Sequence, residues 1–274
     1  MNNKRNQPPT ISASQFFEFR YAPFADTVEI NEPFQSDAEA LIVQRALALI
    51  RQGKSLALYG EAGTGKSMLI KTIAGSLDAK TYRLATLPYG GLKPSAIVRE
   101  LCEYFDIDTS GRKNLLCRLT RDFQRSSEKP FPVIIVDDAH GLQHQSFIDL
   151  CSLLHDAQSR TAAASLLLVG QPVLRKMLEL DIFAPVRTRL AYICMMPKLS
   201  IDEAKSFIQF RLAIAEADPR LFDEEALECL ATDSNGNRRI LMNIATMCLE
   251  EAARRKEKTI TSEIVSTVSL QFSR

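Results

Sequence analysis

The sequence predicts an α/β domain, a five-stranded parallel sheet sandwiched between helices (αβα), followed by a small all-helical domain. Three observations predict it. Five short runs rich in apolar and β-branched residues alternate with stretches of helical composition. The first run opens into a glycine-rich loop that leads directly into a helix-like stretch. Strand signals stop after Leu199, and four amphipathic stretches follow.

In chain order, residues 1–15 begin Met1-Asn2-Asn3-Lys4-Arg5-Asn6-Gln7-Pro8-Pro9. They have no apolar core, so they read as a disordered arm and not as a secretory signal. The α/β domain is expected over 16–197, with a lead-in up to about Glu32. Gln35–Gln52 carries apolar residues at helical spacing, with Ser36 or Asp37 as N-cap. Strands are expected at Ser55–Tyr59, Thr81–Leu87, Val133–Asp137, Ser165–Gly170 and Ala191–Met196. Helices are expected at Lys93–Phe105, Lys113–Ser126, Gln145–Gln158 and Pro172–Leu180. The unbroken apolar run Val133-Ile134-Ile135-Val136 suits a central strand buried on both faces. Pro197 ends this pattern, and the helical domain is expected over 198–274. Its helices are Asp202–Ala217, Asp223–Thr232, Arg238–Glu257 and Thr261–Leu270, several with acids in the first turn.

The 274 residues suffice for one large domain or two modest ones. No apolar run approaches the roughly 20 residues of a membrane helix, so a soluble, cytoplasmic chain with no membrane partner is expected. The six cysteines (Cys102, Cys117, Cys151, Cys194, Cys229 and Cys248) form no CxxC pair and sit in apolar segments, as free thiols of a reducing compartment do. His140, His144 and His155 have no metal-ligand spacing. With a net charge of +1, no global field draws the protein to nucleic acid, so any such surface is a local patch.

The chemistry concentrates in Gly60-Glu61-Ala62-Gly63-Thr64-Gly65-Lys66-Ser67, which fills the pattern GxxxxGK[ST] between a strand and a helix that continues at Met68. Glycines let the backbone curl until its N–H groups point at phosphate oxygens, and the new helix adds its positive end. Lys66 would reach the β- and γ-phosphates of ATP, and the Ser67 hydroxyl would take Mg²⁺. A second signature is the apolar strand that ends in Asp137-Asp138. Adjacent carboxylates repel and resist desolvation, so a buried strand ending this way calls for a cation. Asp137 would hold Mg²⁺, usually through water, and Asp138 would orient and polarise the attacking water. Gln171, closing the fourth run, can touch the γ-phosphate or the lytic water, or cap the next helix. Val186-Arg187-Thr188-Arg189 precedes the fifth strand, and Gly236-Asn237-Arg238-Arg239 opens a helix. A guanidinium at such a place can stabilise the charge of phosphoryl transfer.

This order of motifs resembles the AAA+ ATPases. Within them the chain resembles the ExeA family, whose relatives include the transposon ATPases TniB and TnsC and, more distantly, MuB. The matching residues are Phe19-Arg20-Tyr21-Ala22-Pro23-Phe24, Gly60–Ser67, Asp137-Asp138-Ala139-His140, Val169-Gly170-Gln171-Pro172-Val173-Leu174, Arg189-Leu190, Pro197-Lys198-Leu199-Ser200 and Gly236–Arg239. The resemblance implies a P-loop AAA+ domain with a helical lid, and ATP with Mg²⁺ as cofactors. It makes Lys66 and Ser67 the Walker A ligands and Asp137 and Asp138 the Walker B pair. Gln171 becomes sensor 1, Arg189 (or Arg187) the finger acting in trans, and Arg239 (or Arg238) sensor 2. Tyr21, Pro23 and Phe24 would lie near the adenine. The family usually has Asp-Glu where this chain has Asp137-Asp138. Asp is one methylene shorter, so slow, switch-like hydrolysis is expected.

ATP bound between subunits implies a homo-oligomer, a ring or a filament. The expected task is regulation of DNA transposition: assembly on duplex DNA, target marking and recruitment of a transposase or another transposition protein. Candidate phosphate contacts are Lys93, Arg99, Arg112, Lys113, Arg118, Arg121 and Arg125, of which positions 118, 121 and 125 share a helical face. The alternative is an ExeA-like module for secretion-system assembly. The expectation against it is that the chain has no membrane segment and stops soon after the lid.

Overall fold

The computed structural model describes residues 12–27, 30, 32–88, 91–110, 114–124, 129–155 and 161–272. The expected arm, up to residue 11, and the basic candidates Arg112, Lys113 and Arg125 lie outside them. The chain forms two compact units: residues 37–197, and residues up to 36 together with those from 198 onward.

The first unit is built on five strands, β1 (Ser55–Tyr59), β2 (Tyr82–Leu87), β3 (Phe131–Val136), β4 (Ser165–Gly170) and β5 (Leu190–Met195). They form one sheet in the order β2-β3-β4-β1-β5, and every neighbouring pair is parallel. Side chains alternate between its faces, as the pleat requires. Leu56 and Leu58 of β1, Val133 and Ile135 of β3, and Leu167 and Val169 of β4 pack in one core with α2 (Asp37–Arg51) and α3 (Lys66–Gly75). Ala57, Ile134, Val136, Leu166 and Leu168 face the other core. That core also takes α4 (Pro94–Tyr104), α5 (Leu115–Gln124), α6 (His144–Ser152), α7 (Pro172–Glu179) and α8 (Ala184–Arg187). With both faces covered, β3 and β4 have no polar face to show, hence their continuous apolar text. The register sets Tyr59 of β1 beside Gly170 of β4, and Val136 of β3 beside Leu168. The carboxyl ends of β1, β3 and β4 therefore open side by side, where α/β sheets bind their ligands.

The second unit packs α9 (Ile201–Ile214), α10 (Glu224–Asp233), α11 (Arg238–Arg255) and α12 (Ser262–Phe272) around one core. Its helix starts follow capping chemistry. Ser200 and Glu203 form a capping box on α9, Asp223 accepts from Ala226 N–H, and Asn237 accepts from the N–H groups of Arg239 and Ile240. Short α1 (Ala13–Phe16) belongs to this unit.

That membership differs from the expectation that residues 16–36 belong to the α/β domain. Phe24 is buried in the helical core, edge-on to Phe222 with ring centroids 6.0 Å apart. Buried Arg211 of α9 donates to the carbonyls of Pro23 and Ala25, each at 2.7 Å. Burial pulls the Arg211 pKa down, and the Asp26 charge partly restores it. Lys258 donates to the Phe16 carbonyl, its ammonium 4.1 Å from the Phe16 ring centre. No helix among the described residues is long and apolar enough to cross a membrane.

All six cysteines are free thiols, and four of them (Cys102, Cys151, Cys194 and Cys248) are buried. Burial pushes Cys151 and Cys194 up to about 11 and Cys248 up to about 12. A thiol reagent is expected to label exposed Cys117 first and half-buried Cys229 more slowly, reaching the buried four only on unfolding. The same shifts fix a pH dependence. The unfolded thiols ionise near the ordinary value of 9.0, below their folded values. Their stabilising contribution is thus complete below about pH 9 and is lost as pH rises through about 11 to 12. Urea midpoints measured on the two sides of that window should fall on the alkaline side.

Candidate functional site

The site forms where the loop after β1 meets the ends of β3 and β4. Gly60 N–H donates to the Gly170 carbonyl at 3.1 Å, tying the loop's first residue to β4. Gly63 and Gly65 have φ of 81° and 103°, a region that favours glycine, and they turn the loop back on itself. Thr64 Oγ1 donates to the Glu61 carbonyl at 2.9 Å and braces the bend. Gly65 is the N-cap of α3 and brings no side chain to it. The helix start thus presents backbone to an incoming anion, which is the geometry phosphate requires.

Lys66 is 8% exposed, and its Nζ donates to the carbonyls of Gly60 at 2.9 Å and Glu61 at 2.7 Å. An ammonium held by the loop's own carbonyls keeps its charge at the loop. Ser67 Oγ donates to Asp137 Oδ2 at 3.0 Å. A hydroxyl and a carboxylate at that separation supply two hard oxygen ligands, a donor set that fits Mg²⁺. Asp137 is itself oriented. Its N–H donates to the Leu87 carbonyl, and its Oδ1 accepts the Asp138 N–H at 2.9 Å. Asp138 follows at φ 45°, ψ 36°, a left-handed turn that ends the strand and leaves its side chain half exposed.

Gln171 begins α7, but its side chain makes no capping hydrogen bond, so of its two readings capping is not realised. Its N–H reaches His140 Nδ1 at 3.4 Å, and that nitrogen lies 3.8 Å from Asp138 Oδ1. His140 was given no role by the sequence. The only signal available was its place two residues after Asp138.

The arginines separate by environment. Arg187 is half buried and donates to the Leu178 carbonyl at 2.8 Å, closing the last turn of α7. Arg189 is exposed, with Nη1 on the Pro185 carbonyl at 2.6 Å. In the helical unit, Arg238 lies over the rings of Phe34 and Phe207, with centroid distances of 6.0 and 5.6 Å, while Arg239 is exposed. Tyr21 is exposed, with the Arg20 guanidinium 5.3 Å from its ring centre. Phe24 corrects the expectation of an adenine wall, because its ring is spent in the helical core against Phe222. Pro23, also buried, contributes its carbonyl to Arg211.

A second correction concerns the basic face. Arg118 pairs with Asp108 at 3.0 Å and also donates to the Asp108 carbonyl. Arg118 and Arg121 line a surface cleft of about 350 Å³ together with Asp106, Asp108 and Asp122. A phosphate there would meet three carboxylates and two guanidinium groups, so the described members of the expected cationic stripe, Arg118 and Arg121, do not present one. Lys93 and Arg99 are exposed at and on α4.

Comparison with known proteins agrees with this geometry. The family described as AAA domain matches residues 50–178. The matched stretch lies within the α/β unit. General secretion pathway protein A of Aeromonas hydrophila is 24% identical over 269 residues, covering 95% of this chain and 48% of the relative. The chain thus spans about half the length of that curated relative. Among solved structures, Cdc6p from Pyrobaculum aerophilum superimposes with a TM-score of 0.68 at 17% identity, covering 91% of this chain and 70% of its own. Drosophila ORC bound to DNA gives 0.67 at 15%, covering 100% and 70%. The RuvB Holliday junction branch migration motor of Thermotoga maritima gives 0.58 at 19%, covering 85% and 68%. At such identities the likeness is one of fold, the P-loop AAA+ fold with a helical C-terminal part.

The glycine loop makes a direct prediction. Lys66→Ala removes the ammonium held at Gly60 and Glu61, and an ammonium-to-phosphate hydrogen bond is worth about 1.5–3 kcal/mol. Titration with a fluorescent ATP analogue should show affinity lowered by about tenfold to a hundredfold, with an unchanged circular dichroism spectrum. An unchanged affinity would remove Lys66 from the site.

Proposed function

We propose that the chain is an ATP-hydrolysing switch whose subunits assemble on duplex DNA with ATP bound, and that this assembly regulates DNA transposition by marking target DNA and recruiting a transposase. The observation that carries the ATPase reading is the pairing of Ser67 Oγ with Asp137 Oδ2, with Asp138 next in the chain. In this reading Ser67 and Asp137 would hold Mg²⁺, which when bound would supply positive charge against the phosphates. Residues 60–68 hold the phosphates through the loop backbone, the α3 start and Lys66. Asp138 orients water and accepts its proton. Gln171 stands beside the same opening, at the end of β4. Exposed Arg189 serves a neighbouring subunit's nucleotide, and exposed Arg239 with Tyr21 serves the chain's own. Arg187, pinned to Leu178, maintains the turn that presents Arg189.

Assembly on DNA is supported by the fold shared with the ORC and RuvB proteins above, which are bound to DNA or named for acting on it. The exposed cations Lys93 and Arg99 supply phosphate contacts. A second reading, an ATPase module serving assembly of a secretion system, is favoured by one observation. The curated match along 95% of this chain is to a general secretion pathway protein.

Two experiments test the proposal. Asp138→Asn should keep ATP affinity and lower hydrolysis by about 10²–10⁴-fold, the usual worth of a general base. Equal turnover in parent and variant would refute the role of Asp138. Co-sedimentation with duplex DNA should require ATP, and log affinity should fall linearly with log salt, losing one phosphate contact's slope (about 0.9) on Lys93→Ala. An absence of binding at low salt with ATP present would overturn the DNA reading and leave the secretion reading standing.

A further inference from the structure

His140 is the side chain that connects the two polar strand ends of the site. It sits in the 3₁₀ turn Ala139–Gly141 that follows Asp138, and its ring is mostly buried at 21% exposure. Gly170, the last residue of β4, makes room for it. A Cβ there would stand 3.3 Å from Nδ1 and 3.0 Å from Leu174, so any larger residue would crowd the ring. The imidazole therefore stands between β3's exit and β4's exit, with Nδ1 toward both.

That nitrogen can serve one partner at a time. As an acceptor it takes the Gln171 N–H at 3.4 Å, which leaves the proton on Nε2. As a donor it turns toward Asp138 Oδ1, now 3.8 Å away and beyond hydrogen-bond length. The present geometry is the acceptor arrangement. It leaves the Asp138 carboxylate without this partner, and Asp138 is the short acid whose reach toward water is the weak point of the site.

We propose that His140 is the positioning residue for Asp138, its Nδ1 passing from the Gln171 amide to the Asp138 carboxylate when nucleotide binds, so that the acid is aimed only in the loaded state. The proposal rests on the ATPase reading above. It adds a coupling between the β4 end, where Gln171 meets the nucleotide, and the acid at the β3 end.

The test has two arms. In the kinetic arm, His140→Ala should lower kcat by about 10–100-fold, the scale on which partners that orient reacting groups act. KM and Tm should stay unchanged. His140→Asn, which keeps both a donor and an acceptor, should recover part of the loss. In the Asp138→Asn background His140→Ala should cost nothing further, because its effect runs through that acid. An equal loss in both backgrounds, or a kcat equal to the parent's, overturns the proposal. In the second arm, long-range ¹H–¹⁵N spectra of the histidines report the tautomer without turnover, and with only three histidines His140→Gln assigns the signal. The free protein should show a bare Nδ1. ATP with Mg²⁺ should move it to the protonated range, and the move should be absent in Asp138→Asn. An Nδ1 signal indifferent to ATP and to Asp138→Asn overturns the proposal. If the parent chain turns over no ATP, the ATPase reading falls, while the spectra still decide the role of His140.

Discussion

The 3.0 Å hydrogen bond from Ser67 to Asp137 joins the two parts on which the rest of the site depends. Ser67 stands in the first turn of α3, so its position is set by the glycine loop. Asp137 stands one residue beyond β3, so its position is set by the parallel register of the sheet. The bond exists only if both are correct. A one-residue slip of β3 would turn Asp137 to the opposite face and bury a carboxylate in a hydrocarbon core. The apolar residues of β3 guard against this, since Val133, Ile134, Ile135 and Val136 are all fully buried and alternate between two packed cores. Packing energy in the sheet is thus what holds the polar pair in register.

Much of this was legible because it depends on local text. The ends of β1 and β4 agree with expectation, bounded by Lys54 and the glycine loop in one case and by Gly170-Gln171-Pro172 in the other. The strand expected to end at Asp137 ends at Val136. The Asp137 N–H still continues the ladder to Leu87, but its side chain turns to bind the Asp138 N–H and the chain leaves the sheet. The helix expected over Gln145–Gln158 stops at Ser152, although Leu153 and Leu154 continue an apolar pattern. Both leucines are buried, and the Leu154 carbonyl accepts from Ala163 N–H beside a bridge between His155 and Ala162. Partners nine and seven residues downstream decide that ending, and no periodicity announces it. Helices α1 and α8 are four residues each, too short for a period of 3.6 to register.

The errors share a cause. Arg118 and Arg121 looked like one basic face because their spacing is visible in the sequence, whereas the acids beside them come from the preceding loop at Asp106 and Asp108. Phe24 looked like an open wall because its buried partners, Phe222 and the Arg211 carbonyl clamp, lie nearly two hundred residues away. In each case the charge or ring was read correctly and its partner was invisible. A glycine loop escapes this problem, because it supplies its own geometry. That is why Gly60–Ser67 could be read with little context, and His140, which acts only through neighbours from two strands, could not.

The same reasoning explains why the helical unit needs Gly236. Its φ is 68°, and a Cβ on it would lie 2.1 Å from the Leu199 carbonyl oxygen and 2.9 Å from the Leu199 nitrogen. No rearrangement of a flexible side chain could relieve that, because both atoms are backbone. The close approach has a purpose visible in the bonding: Leu199 N–H donates to the Gly236 carbonyl at 3.0 Å. Asn237 then caps α11, and Arg238 and Arg239 are the first two residues of that helix. The segment that begins the helical unit after Pro197 is therefore fastened, through one glycine and one cap, to the point from which both arginines project.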